Sequence, residues 1–235
     1  MAEATTHQKE TEQRIKLYYD IYVPGNAGQK MPLLICLHGY EGNKESMMAK
    51  ARAINSHDFV IASVQGPNSF FVRNGEDTGK PRIGFGWMMQ YKAEETIRLH
   101  HDTLSTIIQA THAEYDIDLD RVFLLAFSQS VSLNYRFAFT SPGAVRGVIA
   151  VCGGIPGDWS DDTHNKYKVS RTDALIIAGH EDEFYPIERV KTFKDALARR
   201  AGHVDFYSFP VGHVFPNDSL PLINGWLLSR IAAAD

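Results

Sequence analysis

The sequence predicts an α/β domain built on a mostly parallel sheet with helices on both faces. Three observations carry the prediction. Short, continuously apolar runs of strand length recur at 33–37, 60–64, 122–127, 145–151, 174–178 and 204–209. Stretches with helical spacing separate them. At 235 residues, the chain is long enough to bury such a sheet in one domain.

Taken in order, residues 1–13 are polar and predict a frayed N-terminus, leaving 14–235 as a single domain. From Arg14 the pattern alternates. Ile15, Leu17, Tyr19, Ile21 and Val23 point one way and Lys16, Asp20 and Tyr22 the other. This predicts a half-buried, antiparallel strand closed by a turn at Pro24-Gly25-Asn26. The later runs do not alternate, as expected of strands covered on both faces. Between them Ile97, Leu104 and Ile108 share a helical face, as do Val190, Phe193 and Leu197, and then Ile223, Trp226 and Leu227. The connection 65–91 holds five glycines, two prolines and several aromatics, and reads as a long functional loop. A second long connection, 153–171, carries Trp159 with Asp158, Asp161 and Asp162.

Composition narrows the function. A formal charge of −4 leaves no basic footprint for nucleic acid and no polybasic membrane anchor, which points to a small-molecule partner. No apolar run reaches the ~18 residues of a span and no signal-like segment opens the chain, so no stable membrane insertion and a cytoplasmic location are expected. Cys36 and Cys152 both lie in or at the end of apolar runs and read as buried, reduced thiols. Ten histidines invite a metal, but no H-E-x-x-H or paired Cys-x-x-Cys spacing supports one. His100-His101 falls within a helical stretch, where packing explains it. Gly84-Phe85-Gly86-Trp87 lacks the spacing and context of a dinucleotide loop. Neither metal nor cofactor is implied.

The chemistry concentrates at Ala126-Phe127-Ser128-Gln129-Ser130, where a buried strand runs straight into a serine and then a helical stretch. Such a corner presents a hydroxyl at the carboxyl edge of a sheet, and small neighbours let strand and helix backbones approach. A serine at a helix start is also a common cap, and the corner alone does not decide between the two.

The segment resembles the phospholipase/carboxylesterase branch of the α/β-hydrolases, the acyl-protein thioesterase-like group, whose elbow reads Gly-Phe-Ser-Gln-Gly. Here Ala126 and Ser130 replace both glycines. The resemblance implies the α/β-hydrolase fold with no large lid domain, and it extends further along the chain. Gly179, Asp182 and Pro186 match the superfamily's spacing around its acid. Gly212-His213 is similar to the Gly-His that follows its last strand. The order Ser128, Asp182, His213 is the one expected of this fold. The implied roles are nucleophile, orienting acid and general base. Glu181 and Glu183 fit the acid's spacing less well. By the same resemblance the oxyanion hole consists of the backbone N–H groups of Tyr40, after the 33–37 strand, and Gln129. Trp87 resembles the tryptophan that borders the substrate groove in this family.

Phe71, Met88, Trp159, Phe184, Tyr185 and Phe215 lie on the same set of loops and are expected to line the groove with Trp87. An aromatic, thioether-lined groove suits apolar acyl or aryl groups. The leading expectation is therefore a serine carboxylesterase acting on short to medium esters. A thioesterase, lysophospholipase or small peptidase would use the same triad, and a non-catalytic α/β-hydrolase scaffold is the third reading.

Overall fold

The computed structural model describes residues 5–25, 30–72, 81–160 and 166–232. Seven strands form one sheet: β1 (Tyr19–Tyr22), β2 (Leu33–Leu37), β3 (Val60–Val64), β6 (Val122–Phe127), β7 (Gly147–Val151), β8 (Asp173–Gly179) and β9 (Val204–Phe209). Their order is β1-β3-β2-β6-β7-β8-β9. Only β1 runs antiparallel, against β3; β2, β3 and β6 to β9 are mutually parallel. The apolar runs of β2, β3, β6, β7 and β8 are buried because both faces are covered, whereas β9 lies at the sheet edge and is only half-buried, contrary to the expectation for 204–209. Leu33, Ile35 and Leu37 face one layer of core, and Leu34 and Cys36 face the other.

The helices divide between those layers. α2 (Ala93–Tyr115), α3 (Gln129–Thr140) and α4 (Ile187–Ala198) bury Leu104, Val131 and Val190 on one face. α1 (Lys44–Ile54) and α5 (Leu220–Ala232) bury Met47, Ala51, Ile223 and Trp226 on the other. The chain leaves β2 through α1 towards β3, and leaves β6 through α3 towards β7. The two connections diverge on opposite faces, which opens a crevice beyond the carboxyl ends of β2 and β6. Ligands of open α/β sheets bind at such a point.

Two further expectations are corrected. The N-terminal strand is four residues long, not ten. β3 ends at Val64, opposite Tyr19; beyond that pair the Gln65 N–H still donates to Tyr18 O (2.9 Å), but the ladder does not continue, and Ile15 is exposed. Asn26, in the expected turn, lies outside the described residues, as do Asp161 and Asp162. The connection 65–91 is not an open loop. It holds an antiparallel pair, β4 (Asn68–Val72) and β5 (Arg82–Gly86). Phe70 of β4 stacks on Tyr40 with ring centroids 4.7 Å apart, and Gly42 bridges Phe85. The pair thus lies against the turn that follows β2.

Candidate active site

The segments that follow β6, β8 and β9 converge at one edge of the sheet. Ser128 follows β6 and has φ 55° and ψ −116°, a conformation that L side chains rarely adopt. The surroundings hold it there. Its N–H donates to Val151 O (2.9 Å) and its carbonyl accepts from Val131 N (3.1 Å). On the opposite wall, a Cβ on Gly39 would fall 2.6 Å from the Phe127 ring and 3.3 Å from Ser128 Cβ. The chain after β2 can pass this close to the corner only because residue 39 lacks a side chain.

Ser128 Oγ lies 2.8 Å from His213 Nε2, and His213 Nδ1 lies 2.9 Å from Asp182 Oδ2. Asp182 is 4% exposed, and its other oxygen accepts from the amides of Phe184 and Tyr185, both at 2.9 Å. The carboxylate is therefore satisfied without water, and it fixes Nδ1–H as the donor. That leaves Nε2 free to accept from the serine. His213 stands between three rings, Phe127 (5.3 Å), Phe184 (4.9 Å) and Tyr185 (5.8 Å), which limit its rotation. The loop bearing it packs tightly on the end of β8, where a Cβ on Gly179 would meet Val211 O at 2.5 Å. Cys152 Sγ donates to Val214 O (3.3 Å) from below, and burial pushes its thiol up to about 12. It is thus a neutral tether rather than a thiolate. Chemically, the chain of hydrogen bonds can carry a proton from the hydroxyl to the imidazole while the carboxylate stabilises the imidazolium that forms.

The rival groups are occupied elsewhere. Ser130 is fully buried and its hydroxyl is shared between Leu37 O (3.1 Å) and Phe127 O (3.0 Å). Serine in place of an elbow glycine therefore ties the helix start to β2. Glu181 and Glu183 are exposed. His38 Nε2 accepts from the Gly66 amide (2.9 Å), so Nδ1 donates to Gly39 O (2.7 Å). Burial lowers the basicity of His38, and this neutral ring braces the turn after β2. Gln129 is the first residue of α3, where backbone N–H groups lack helical acceptors. Its side-chain oxygen accepts from Trp87 N at 2.8 Å. Tyr40 is exposed and lies over Phe70.

The expected groove residues separate into two groups. Phe184 (63% exposed) and Tyr185 flank His213, and Phe215 packs 6.2 Å from Phe127. Phe71 is 71% exposed on β4, and Met88 is half-buried against the core. Trp87 and Trp159 do not face the groove. Trp87 is 3% exposed, its indole N–H bonded to His38 O (2.8 Å) and its ring against His38 and His100. It fastens β5 to the sheet from behind. Trp159 is 2% exposed and packs between Phe139 and Tyr167 with its N–H on Ala196 O, so it belongs to the core between α3 and α4. Both indoles find their hydrogen-bond partner inside, which removes the usual reason for a tryptophan to stay wet. Phe127, by contrast, was legible only as a strand residue, yet its ring lies against His213.

Among the described residues no cluster of His, Cys, Asp and Glu could hold a metal ion, and no helix is long and apolar enough to cross a membrane.

A strained serine at a strand-to-helix corner, hydrogen-bonded to a histidine that is bonded in turn to a buried aspartate, is the arrangement of an α/β-hydrolase. The chain belongs to the phospholipase/carboxylesterase family, whose sequence model matches residues 21–229, and is an ester-hydrolysing serine hydrolase. Comparison with curated protein sequences found no match. Among solved structures, the chain is similar to a carboxylesterase from Mesorhizobium loti, at 20% identity over 90% of this chain and 94% of that one, TM-score 0.72. It is also similar to the Bacillus cereus carboxylesterase, at 18% over 91% and 94%, TM-score 0.68. Arabidopsis thaliana SOBER1 aligns at 17% over 86% and 99%, TM-score 0.66. At such identities the likeness is one of fold.

Proposed function

We propose that the chain is a serine carboxylesterase acting on small, water-soluble acyl or aryl esters, with Ser128 as nucleophile, His213 as general base and acid, and Asp182 as the group that orients it. One observation carries the reading: the continuous hydrogen-bond path Ser128–His213–Asp182, at 2.8 and 2.9 Å, anchored on a carboxylate that two further amides hold in place. In the first half-reaction Ser128 Oγ bonds to the ester carbonyl carbon as His213 Nε2 takes its proton. The tetrahedral intermediate then collapses, the alcohol leaves with that proton, and an acyl-serine remains. Water attacks the acyl-serine with His213 again taking the proton, which returns to Ser128 as the acid departs.

The amides of Tyr40 and Gln129 are assigned to the developing oxyanion. Each such donor is typically worth ~3–4 kcal/mol in the transition state. Phe184 and Tyr185, beside the imidazole, and Phe215, against Phe127, are assigned to the groove wall, with Phe71 and Met88 as outlying members. A panel of p-nitrophenyl esters of increasing chain length, with an acyl-CoA alongside, tests the reading. It expects turnover of the short esters that vanishes in Ser128→Ala. Turnover of the thioester alone would replace it with the thioesterase alternative.

A further inference from the structure

Beside the serine corner lies a pocket of about 180 Å3, roughly six water-sized groups at ~30 Å3 each. Gly39 and Phe127, which pack against the Ser128 corner, line one part of it, and Met47 and Phe215 line another. The lining is mostly apolar; His38, Tyr40 and Ser46 contribute polar atoms at its edge, and Lys50 of α1 is the one lysine or arginine that lines it. Lys50 is half-buried and its ammonium stands 5.7 Å over the Phe215 ring. It donates to the neutral amide oxygen of Asn217 and makes no ion pair with a carboxylate among the described residues. Lys44, on the same helix, is by contrast taken up by Asp20 (2.6 Å) and Glu45 (2.9 Å). An ammonium has three donors, and Asn217 accepts from one. An ammonium held by a neutral partner, in a pocket that also touches Gly39 and Phe127 of the serine corner, keeps two donors for a ligand.

We infer that this pocket selects esters whose compact apolar arm ends in an anionic group, a carboxylate above all, with Lys50 as the residue that binds that anion. The inference rests on the esterase reading and adds a substrate class to it. The pocket's volume limits the arm to a short chain or one aryl ring. Binding the anion withdraws no group from Ser128, His213 or Asp182, so Lys50 acts on selection between esters and not on the chemical step.

The test compares paired esters that differ only in carboxylate against carboxamide. The acyl arm uses monoethyl adipate against its ω-carboxamide; the alcohol arm uses 4-carboxyphenyl butyrate against 4-carbamoylphenyl butyrate. The readout is the carboxylate-to-carboxamide ratio of kcat/KM, in which intrinsic reactivity cancels between wild type and variant. In at least one arm Lys50→Met should lower that ratio about tenfold, the worth of one charge-assisted hydrogen bond. Lys50→Glu should lower it further, Lys50→Arg should retain most of it, and added salt should weaken the wild-type preference. Lys50→Arg also reports on folding, since it keeps the charge and the long stem. Ratios equal within twofold across wild type, Lys50→Met and Lys50→Glu in both arms, with hydrolysis persisting, would overturn the inference and leave the esterase reading standing. Absence of wild-type hydrolysis together with absence of fluorophosphonate labelling would overturn both.

Discussion

Replacing Trp87 with alanine removes a ring that is almost fully buried between His38 and His100, together with the hydrogen bond from its indole to His38 O. Truncations of this kind in a packed core typically cost ~3–5 kcal/mol. The carbonyl left without its donor moves the expectation towards the upper end of that range. For a domain of this size each kcal/mol shifts the melting temperature by about 2–4 °C, so Trp87→Ala should melt roughly 6–20 °C lower. The substrate does not touch a ring placed behind the wall, so whatever activity is lost should be lost in the same proportion for short and long esters. The assay measures melting temperature and kcat/KM for p-nitrophenyl acetate and octanoate on the one variant. A melting temperature within about 3 °C of wild type, with a changed ratio between the two esters, would refute the reasoning. Trp87 would then belong to the groove.

Two further outcomes follow from the site and the core. Asp182→Asn should leave the fold in place and lower kcat by several orders of magnitude, because an amide can donate to Nδ1 and so favours the tautomer that cannot accept from Ser128; steady-state kinetics on a variant with wild-type melting temperature checks it. Burial lowers the His100 imidazole to about 3 and His101 to about 4, and His100 Nδ1 has no acceptor to meet an added proton. With folded values below the unfolded ~6.5, stability is complete above that pH and falls as pH drops towards 3, at up to ~1.4 kcal/mol per pH unit from His100 alone. Urea midpoints at pH 7.0, 5.5 and 4.5 should fall in that order, and His100→Phe should flatten the slope; a midpoint independent of pH would contradict the assignment.

The strands buried on both faces could be read because their apolar runs need no partner to be recognised, and β2, β3 and β6 carry the expected boundaries. The corner at Ser128 was legible as strand followed by helix, and Asp182 and His213 by their place after later strands. What escaped was decided by contacts between distant segments. The length of β1 depends on where β3 stops. The β4–β5 pair alternates too weakly for its sequence to announce it, and its seat against Tyr40 supplies what its pattern lacks. Trp87 and Trp159 looked alike to the aromatic residues around them. Which way an indole points depends on whether a carbonyl waits inside, and His38 O and Ala196 O both do. Lys50 carries no motif; its importance comes from Asn217 and Phe215, more than 160 residues away along the chain.

The central claim is that Ser128 forms the covalent acyl bond, activated by His213. Intact-protein mass spectrometry after a fluorophosphonate probe, followed by peptide mapping, measures it directly. The account predicts one adduct, on Ser128, absent in Ser128→Ala and formed far more slowly in His213→Ala. An adduct on Ser130 or another serine, or ester hydrolysis that survives Ser128→Ala undiminished, would contradict it.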